Sequence, residues 1–296
     1  MKKLLLALSI FFIGSSFINA QSALNFDNTN QWSYVNAGTT FTNNLTGSSS
    51  ITVEAWISPA SLGGFSTVCG TYDGSDMQFL MRLDFGKLAF FISDVAITGV
   101  VGTSTLPTGV WTHVAGTWDG TDIKVYVNGV LENTTPKSGS FPNSGHPLII
   151  GNSKITGTEG FDGNIDDLRI WSCAKSQAEI SADMNKLHDG SEGMLAYYDF
   201  ENGTGATLTD LSGNGYTGTL MHTSSGPLPS WVTGKSLTGT PSYTYSTPIG
   251  THTITECDAY TWIDGNTYTT NNNTATFTIF GGASSGCASD FCFEIA

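Results

Sequence analysis

An all-β fold of the sandwich or barrel type, carrying one short helix, is what this sequence predicts, and three observations carry the expectation. Glycine is abundant (35 residues) while charged residues make up only 12% of the chain, so permissive turn residues are plentiful and helix formers scarce. From Ser22 to about Thr219, short runs of alternating polarity are punctuated by turn residues at fairly even spacing, as strands of a sandwich or barrel are. Only one segment has a helical period. The length suits one large β domain plus a smaller unit.

Residues 1–20, MKKLLLALSIFFIGSSFINA, combine Lys2 and Lys3, an apolar run from Leu4 to Ile13 and small residues up to Ala20. That is the layout of a secretory signal peptide cut before Gln21. The apolar run is shorter than the ~20 residues a membrane-spanning helix needs, so a soluble chain, secreted or held at the cell surface, is expected. The β domain is expected over 21–225. Its strands are read in ALNF, ITVEAWI, MQFLMRL, KLAFFI, VWTHVAGTW, IKVYV, PLIIG, IDDLRIW and MLAYYDF. In ITVEAWI, Ile51, Val53, Ala55 and Ile57 fall on one face and Thr52, Glu54 and Trp56 on the other.

WTHVAGTWDGTDIKVYVNG, residues 111–129, reads as a hairpin with strands from Val110 to Trp118 and Ile123 to Val127. A tight turn at Asn128 and Gly129 follows, where positive φ is required. SQAEISADMNKL breaks the β rhythm: Ser176 and Glu179 form a capping box, and Ile180, Met184 and Leu187 lie on one helical stripe. Residues 226–250 hold four prolines and almost no charge, as a linker would. Residues 251–296 resume alternation with a DG turn at Asp264 and Gly265. So short a unit is expected to lean on a Cys257–Cys287 pair or on a following copy.

The net charge of −14 makes nucleic acid and anionic membranes poor partners. It is compatible with hard cations such as calcium, and equally with solubility alone. Five cysteines, an odd number, leave at least one unpaired within the chain. A Cys69–Cys173 pair, with Cys292 left over, is one way to complete the pattern, but separation in sequence leaves the pairing of these three open. No CxxC or HExxH spacing points to zinc.

Catalytic patterns are missing. No ExDxxE run sets paired carboxylates on one strand face for a retaining glycosidase, GxSxG is absent, and the glycine-rich stretch GTGATLTDLSGNG has no phosphate-binding lysine. In FDGNIDDLRIW, a regular strand would put Asp162 and Asp166 on one face and Asp167 on the other. Two aspartates without a glutamate partner suit a cation better than catalysis, and FDNTN at 26–30 offers another at a strand edge. Asp27 and Asp166 could then meet around one calcium ion if the first and last strands are neighbours; solvated turns are the alternative. For stacking on sugar rings, the aromatic candidates near turns are Trp32, Tyr34, Tyr72 and Trp118. His113, inside a strand, reads as a packing residue.

ALNFDNTNQWSYV, ITVEAWI, WTHVAGTWDGTDIKVYVNG, FDGNIDDLRIWSCAKSQAEI and LAYYDFENGTGATLTDLSGNGYTGTL together resemble, in the family's order, the laminin G-like and pentraxin-like jelly-roll domains of the concanavalin A-like lectin/glucanase superfamily. The resemblance covers about residues 22–225. It implies a two-sheet antiparallel jelly-roll sandwich, often with one calcium near the sheet rim, and adhesion or glycan binding more than catalysis. By position it carries Asp27 and Asp166 over as calcium ligands, with Asn28 where the family usually has glycine. ECDAYTWIDGNTYTTNNNTATFTIF followed by GC resembles a cysteine-bounded repeat of large secreted and surface proteins of gliding Bacteroidetes, although ASDFCFEIA departs from that pattern.

The expected function is therefore a secreted, monomeric, non-catalytic recognition or adhesion module, stabilised by calcium, that binds glycans or another extracellular ligand. The alternatives are a glycoside hydrolase or other polysaccharide-degrading enzyme of the same superfamily, and a structural spacer in a multidomain surface protein.

Overall fold

A computed structural model describes residues 21–27, 33–72, 77–93, 96–153, 159–188, 190, 194–222, 227–237, 260–261 and 267–268. Its elements run in chain order as β1 (Ser22–Phe26), β2 (Ser33–Asn36), α1 (Thr40–Leu45), β3 (Ile51–Pro59), β4 (Phe65–Gly70), β5 (Phe79–Asp84), β6 (Lys87–Ser93), β7 (Ile97–Thr105), β8 (Thr112–Trp118), β9 (Asp122–Val127) and β10 (Val130–Pro136). They continue as β11 (Ile149–Ile150), β12 (Gly163–Trp171), α2 (Gln177–Asp183), β13 (Ala196–Tyr198), β14 (Thr207–Leu208), β15 (Gly218–His222) and β16 (Ser230–Thr233). Two antiparallel sheets result. Sheet A has the order β10-β9-β8-β3-β12-β1-β16, with β13 also on β12, and sheet B the order β14-β15-β2-β11-β4-β5-β6-β7. This is the expected jelly-roll sandwich.

Strand alternation decides which side chains fill the gap between the sheets. Ile51, Val53, Ala55 and Ile57 of β3 lie in the core with Phe79, Met81 and Leu83 of β5 and Leu88, Phe90 and Ile92 of β6. The Phe90 ring presses on β8 where Gly116 leaves room: a Cβ there would stand 2.4 Å from the ring. The β9–β10 turn has the expected backbone, with φ of +49° at Asn128 and +75° at Gly129. On the outside of sheet A, α2 begins with the predicted Ser176–Glu179 capping box and buries Ile180 against Ala115 and Tyr126. Sheet A is thus covered on both faces there, which is why every residue of β3 is buried.

The structure differs from expectation in four respects. A second helix, α1, sits between β2 and β3 and buries Phe41 and Leu45. Part of the expected linker is a strand, since β16 pairs with β1 from Ser22↔Thr233 to Asn25↔Ser230 and Trp231 packs on the core; the sandwich therefore extends beyond residue 225. Strand β12 is not regular: its register against β3 shifts between Asp166 and Arg169, and Asp167 has a φ of +50°. Cys69 is a free thiol buried in the core and Cys173 is disulfide-bonded, so the Cys69–Cys173 pair is not formed. Cys257, Cys287, Cys292 and residues 1–20 lie outside the described residues, as does the turn at 264–265, although β17 (Tyr260–Thr261) and β18 (Thr267–Tyr268) pair around it.

Candidate functional site

The register of the first and last strands tests the shared-ion idea. Phe26 faces Gly163, so exposed Asp27 falls level with Asp162, four residues from Asp166 along β12. At ~3.3 Å per residue that is about 13 Å, too far for two carboxylates to share an ion that needs ligand oxygens at ~2.3–2.6 Å. Among the described residues, no group of three or more His, Cys, Asp or Glu side chains could hold a metal ion. The pair does not fit one calcium ion.

Asp166 has a different task. Bulging at Asp167 admits one extra residue, so both aspartates face outward, Asp166 opposite Trp56. Asp166 is 2% exposed and its Oδ2 accepts the backbone N–H of Lys235 at 2.7 Å, tying down the chain just after β16. Burial, and then the neighbouring Asp167, push its carboxyl up to about 8. Asp167 instead pairs with Arg169, two residues on. Arg169 also lies 3.7 Å from Glu54, a fully buried carboxylate that has Lys175 at 3.6 Å, His113 at 3.6 Å and the Trp171 Nε1 donor at 2.9 Å. Burial alone would raise Glu54, but Lys175, Arg169 and His113 outweigh it and hold it at about 2. Burial, aided by Arg169 and Lys175, keeps His113 down at about 4 and neutral at pH 7. This network fastens the α2 layer to sheet A and gives no substrate access.

The aromatic candidates also resolve. Trp118 is fully buried, donates Nε1–H to the Lys137 carbonyl at 2.7 Å and meets Phe141 edge-on. Tyr34 is 1% exposed. Neither presents a ring to a ligand, so both leave the list of stacking residues. Tyr72 is half-buried at the end of β4, and Trp32 lies outside the described residues.

The exposed rings are elsewhere, on the outer face of sheet B. Strands β5 and β6 are joined by Phe85 and Gly86, with φ of +50° and +80° and Asp84 facing Lys87. This is a position where asparagine or glycine is favoured and a bulky side chain is not. The turn is clamped from both sides: Phe85 N–H donates to the Gly64 carbonyl at 2.8 Å and the Gly86 carbonyl accepts Leu106 N–H at 2.9 Å. Phe85 is nonetheless 67% exposed, and it meets Phe65, itself 40% exposed, edge-on at 5.5 Å. The Arg82 guanidinium lies 4.1 Å from the Phe65 ring centre and 4.8 Å from that of Phe91. Its Nε reaches Asp84 at 2.6 Å and its Nη1 reaches Glu159 at 3.2 Å. None of these residues was a sequence candidate. The available signal was Phe85-Gly86 placed where a two-residue turn must go.

Two stacked antiparallel sheets in this strand order define the architecture of a concanavalin A-like jelly-roll sandwich. The family match specifies it: residues 20–181 match the laminin G family of the Concanavalin A-like lectin/glucanases superfamily, and the chain belongs to it. Mouse (Mus musculus) pappalysin-1 is 32% identical over 101 residues, which are 32% of this chain and 6% of that protein; the chain spans only a small part of that relative. A Bacteroides ovatus protein, described provisionally as carbohydrate-binding, shares the fold with a TM-score of 0.56 at 24% identity, over 72% of this chain and 60% of that one. A pentraxin from Limulus polyphemus aligns at 20% identity and a TM-score of 0.42, over 55% of this chain and 81% of its own.

Proposed function

We propose that this sandwich is a non-catalytic glycan-recognition module of an exported protein, with Phe65 and Phe85 as its contact surface. One observation carries the reading: an exposed aromatic ring is kept at a backbone position that penalises it. Such strain persists where the surroundings over-determine it, and it concentrates at functional sites. A phenylalanine pair gives an apolar face on which the C–H face of a sugar can stack. The fold shared with the provisionally described carbohydrate-binding protein of Bacteroides ovatus supports the same reading.

The hydrolase alternative would need two carboxylates open to substrate. Burial raises Glu201 to about 7, a value suited to a general acid, but its neighbour Asp166 is 2% exposed and bonded to Lys235 N–H. A glycan array run beside a reducing-sugar assay separates the readings. Binding that weakens in Phe85→Ala, without sugar release, is the expected result. Sugar release by the purified chain would overturn the non-catalytic reading, and a blank array would favour the structural spacer.

A further inference from the structure

Beyond the Phe65–Phe85 pair, the planar groups of this face form a continuous row. Phe91 of β6 faces Gly99 of β7 and its ring lies over that glycine: a Cβ at Gly99 would stand 2.2 Å from the ring. Glycine therefore lets Phe91 lie across the edge strand. Next come Arg82, then Phe65, then Phe85, each neighbouring the last through the contacts given above. The row runs from Phe91 of β6, lying over β7, through Arg82 of β5 to Phe65 of β4, and ends at Phe85 in the β5–β6 turn. Arg82 is fixed by carboxylates on both sides, Asp84 through Nε and Nη2 and Glu159 through Nη1, so the guanidinium in the middle of the row has little freedom to lose on binding.

Charge limits what such a row can take. The guanidinium donors are already directed at carboxylates, and Lys87 stands in register opposite Asp84. The charges of Arg82 and Lys87 are thus matched by those of Asp84 and Glu159. An anionic sugar would also approach a chain of net charge −14.

Resting on the glycan-binding reading, we infer that the row Phe91–Arg82–Phe65–Phe85 takes an internal stretch of a linear, neutral polysaccharide, several sugar rings at once, and neither a chain end nor an acidic glycan.

Isothermal titration calorimetry with glucose and its linear β-linked oligosaccharides up to the hexamer, beside a polyuronate, tests this. Affinity should rise with chain length. Phe85→Ala and Phe91→Leu, at opposite ends of the row, should each weaken the hexamer by roughly three- to ten-fold while changing binding of the shortest binding oligomer unequally. Melting curves of both variants confirm that they fold. Equal affinity for the shortest binder and the hexamer, or no effect of Phe91→Leu, would overturn the row and leave the Phe65–Phe85 reading standing. Tighter binding of the polyuronate would overturn the neutral class alone. Failure of every glycan to bind would remove the reading on which the inference rests, and the inference with it.

Discussion

Replacing Phe85 by asparagine and, separately, by alanine divides what the ring does from what its backbone costs. An L-residue at positive φ pays roughly 1–2 kcal/mol because its Cβ crowds the carbonyl, whereas asparagine visits this region readily. Phe85 has a φ of +50° and is 67% exposed, so only about a third of its side chain is withdrawn from water. At ~1.5–3 kcal/mol for full burial of such a side chain, that third stabilises by about 0.5–1 kcal/mol. The backbone cost exceeds the ring's contribution by about 0–1.5 kcal/mol. Phe85→Asn should therefore melt at or slightly above wild type, while Phe85→Ala, which loses the ring and keeps the crowded Cβ, should lie about 1–2 kcal/mol below Phe85→Asn, or ~2–8 °C in a domain of this size. Both variants should weaken glycan binding to the same extent. The assay is differential scanning calorimetry with calorimetric titration on the same samples. A Phe85→Asn protein that melts far below wild type, or binds as well, would refute the argument that the ring is kept for contact.

Three further outcomes follow from the buried charges and the sheet edges. Glu54→Ala leaves Arg169 and Lys175 buried without their shared carboxylate, so urea denaturation should show a loss of ~3–5 kcal/mol; because its folded value of about 2 lies below the ordinary 4.5, the wild-type contribution is present above pH 4.5 and fades as pH falls toward 2. Asp166 has the opposite sign: its carboxyl is raised from 3.8 to about 8, so its contribution is fully present below pH 3.8 and is lost as pH rises through 8, and Asp166→Asn, which keeps an acceptor for Lys235 N–H, should flatten the melting profile across that window. Glu132 of β10 accepts the backbone N–H groups of Thr103 and Ser104 on β7, stitching the edge of sheet B to that of sheet A; Glu132→Ala should cost about 1 kcal/mol, and hydrogen exchange should quicken at those two amides while the β3 amides stay protected.

The parts of this fold that could be read in the sequence are those in which local chemistry and tertiary position agree. Ile51, Val53, Ala55 and Ile57 alternate because β3 has the core on one side, and Asn128-Gly129 marks a turn because those two residues accept the backbone that the turn demands. Strand β16 was hidden because its four residues lie among prolines and are paired with β1 at the far end of the chain, and only that partner makes them a strand. The outward turn of Asp167 was hidden for a related reason. A single inserted residue reverses which face a side chain takes, and its trace in the sequence is small: in IDDLRI the apolar positions step from Ile165 to Leu168 and then to Ile170, a slip of one at the doubled aspartate. Trp118 misled because closeness to a DG turn suggests exposure, whereas its indole is the side of the residue the core needs.

The candidate site carries no familiar turn signal. Phe85 stands where such a signal belongs: the chain places Phe-Gly at a position that asparagine would fill without strain. An exposed phenylalanine is unremarkable by itself, and so is a residue at positive φ. Their coincidence is not, because folding gains too little from this ring to select the backbone it requires. Gly64, Leu106 and the Arg82 clasp hold the turn in place from the surrounding structure, and the work they do makes sense if the ring they present is used by something outside the chain. The sequence marks only an unusual turn at Phe85-Gly86; the positive φ and the exposure that make the ring a contact candidate are properties of the folded chain.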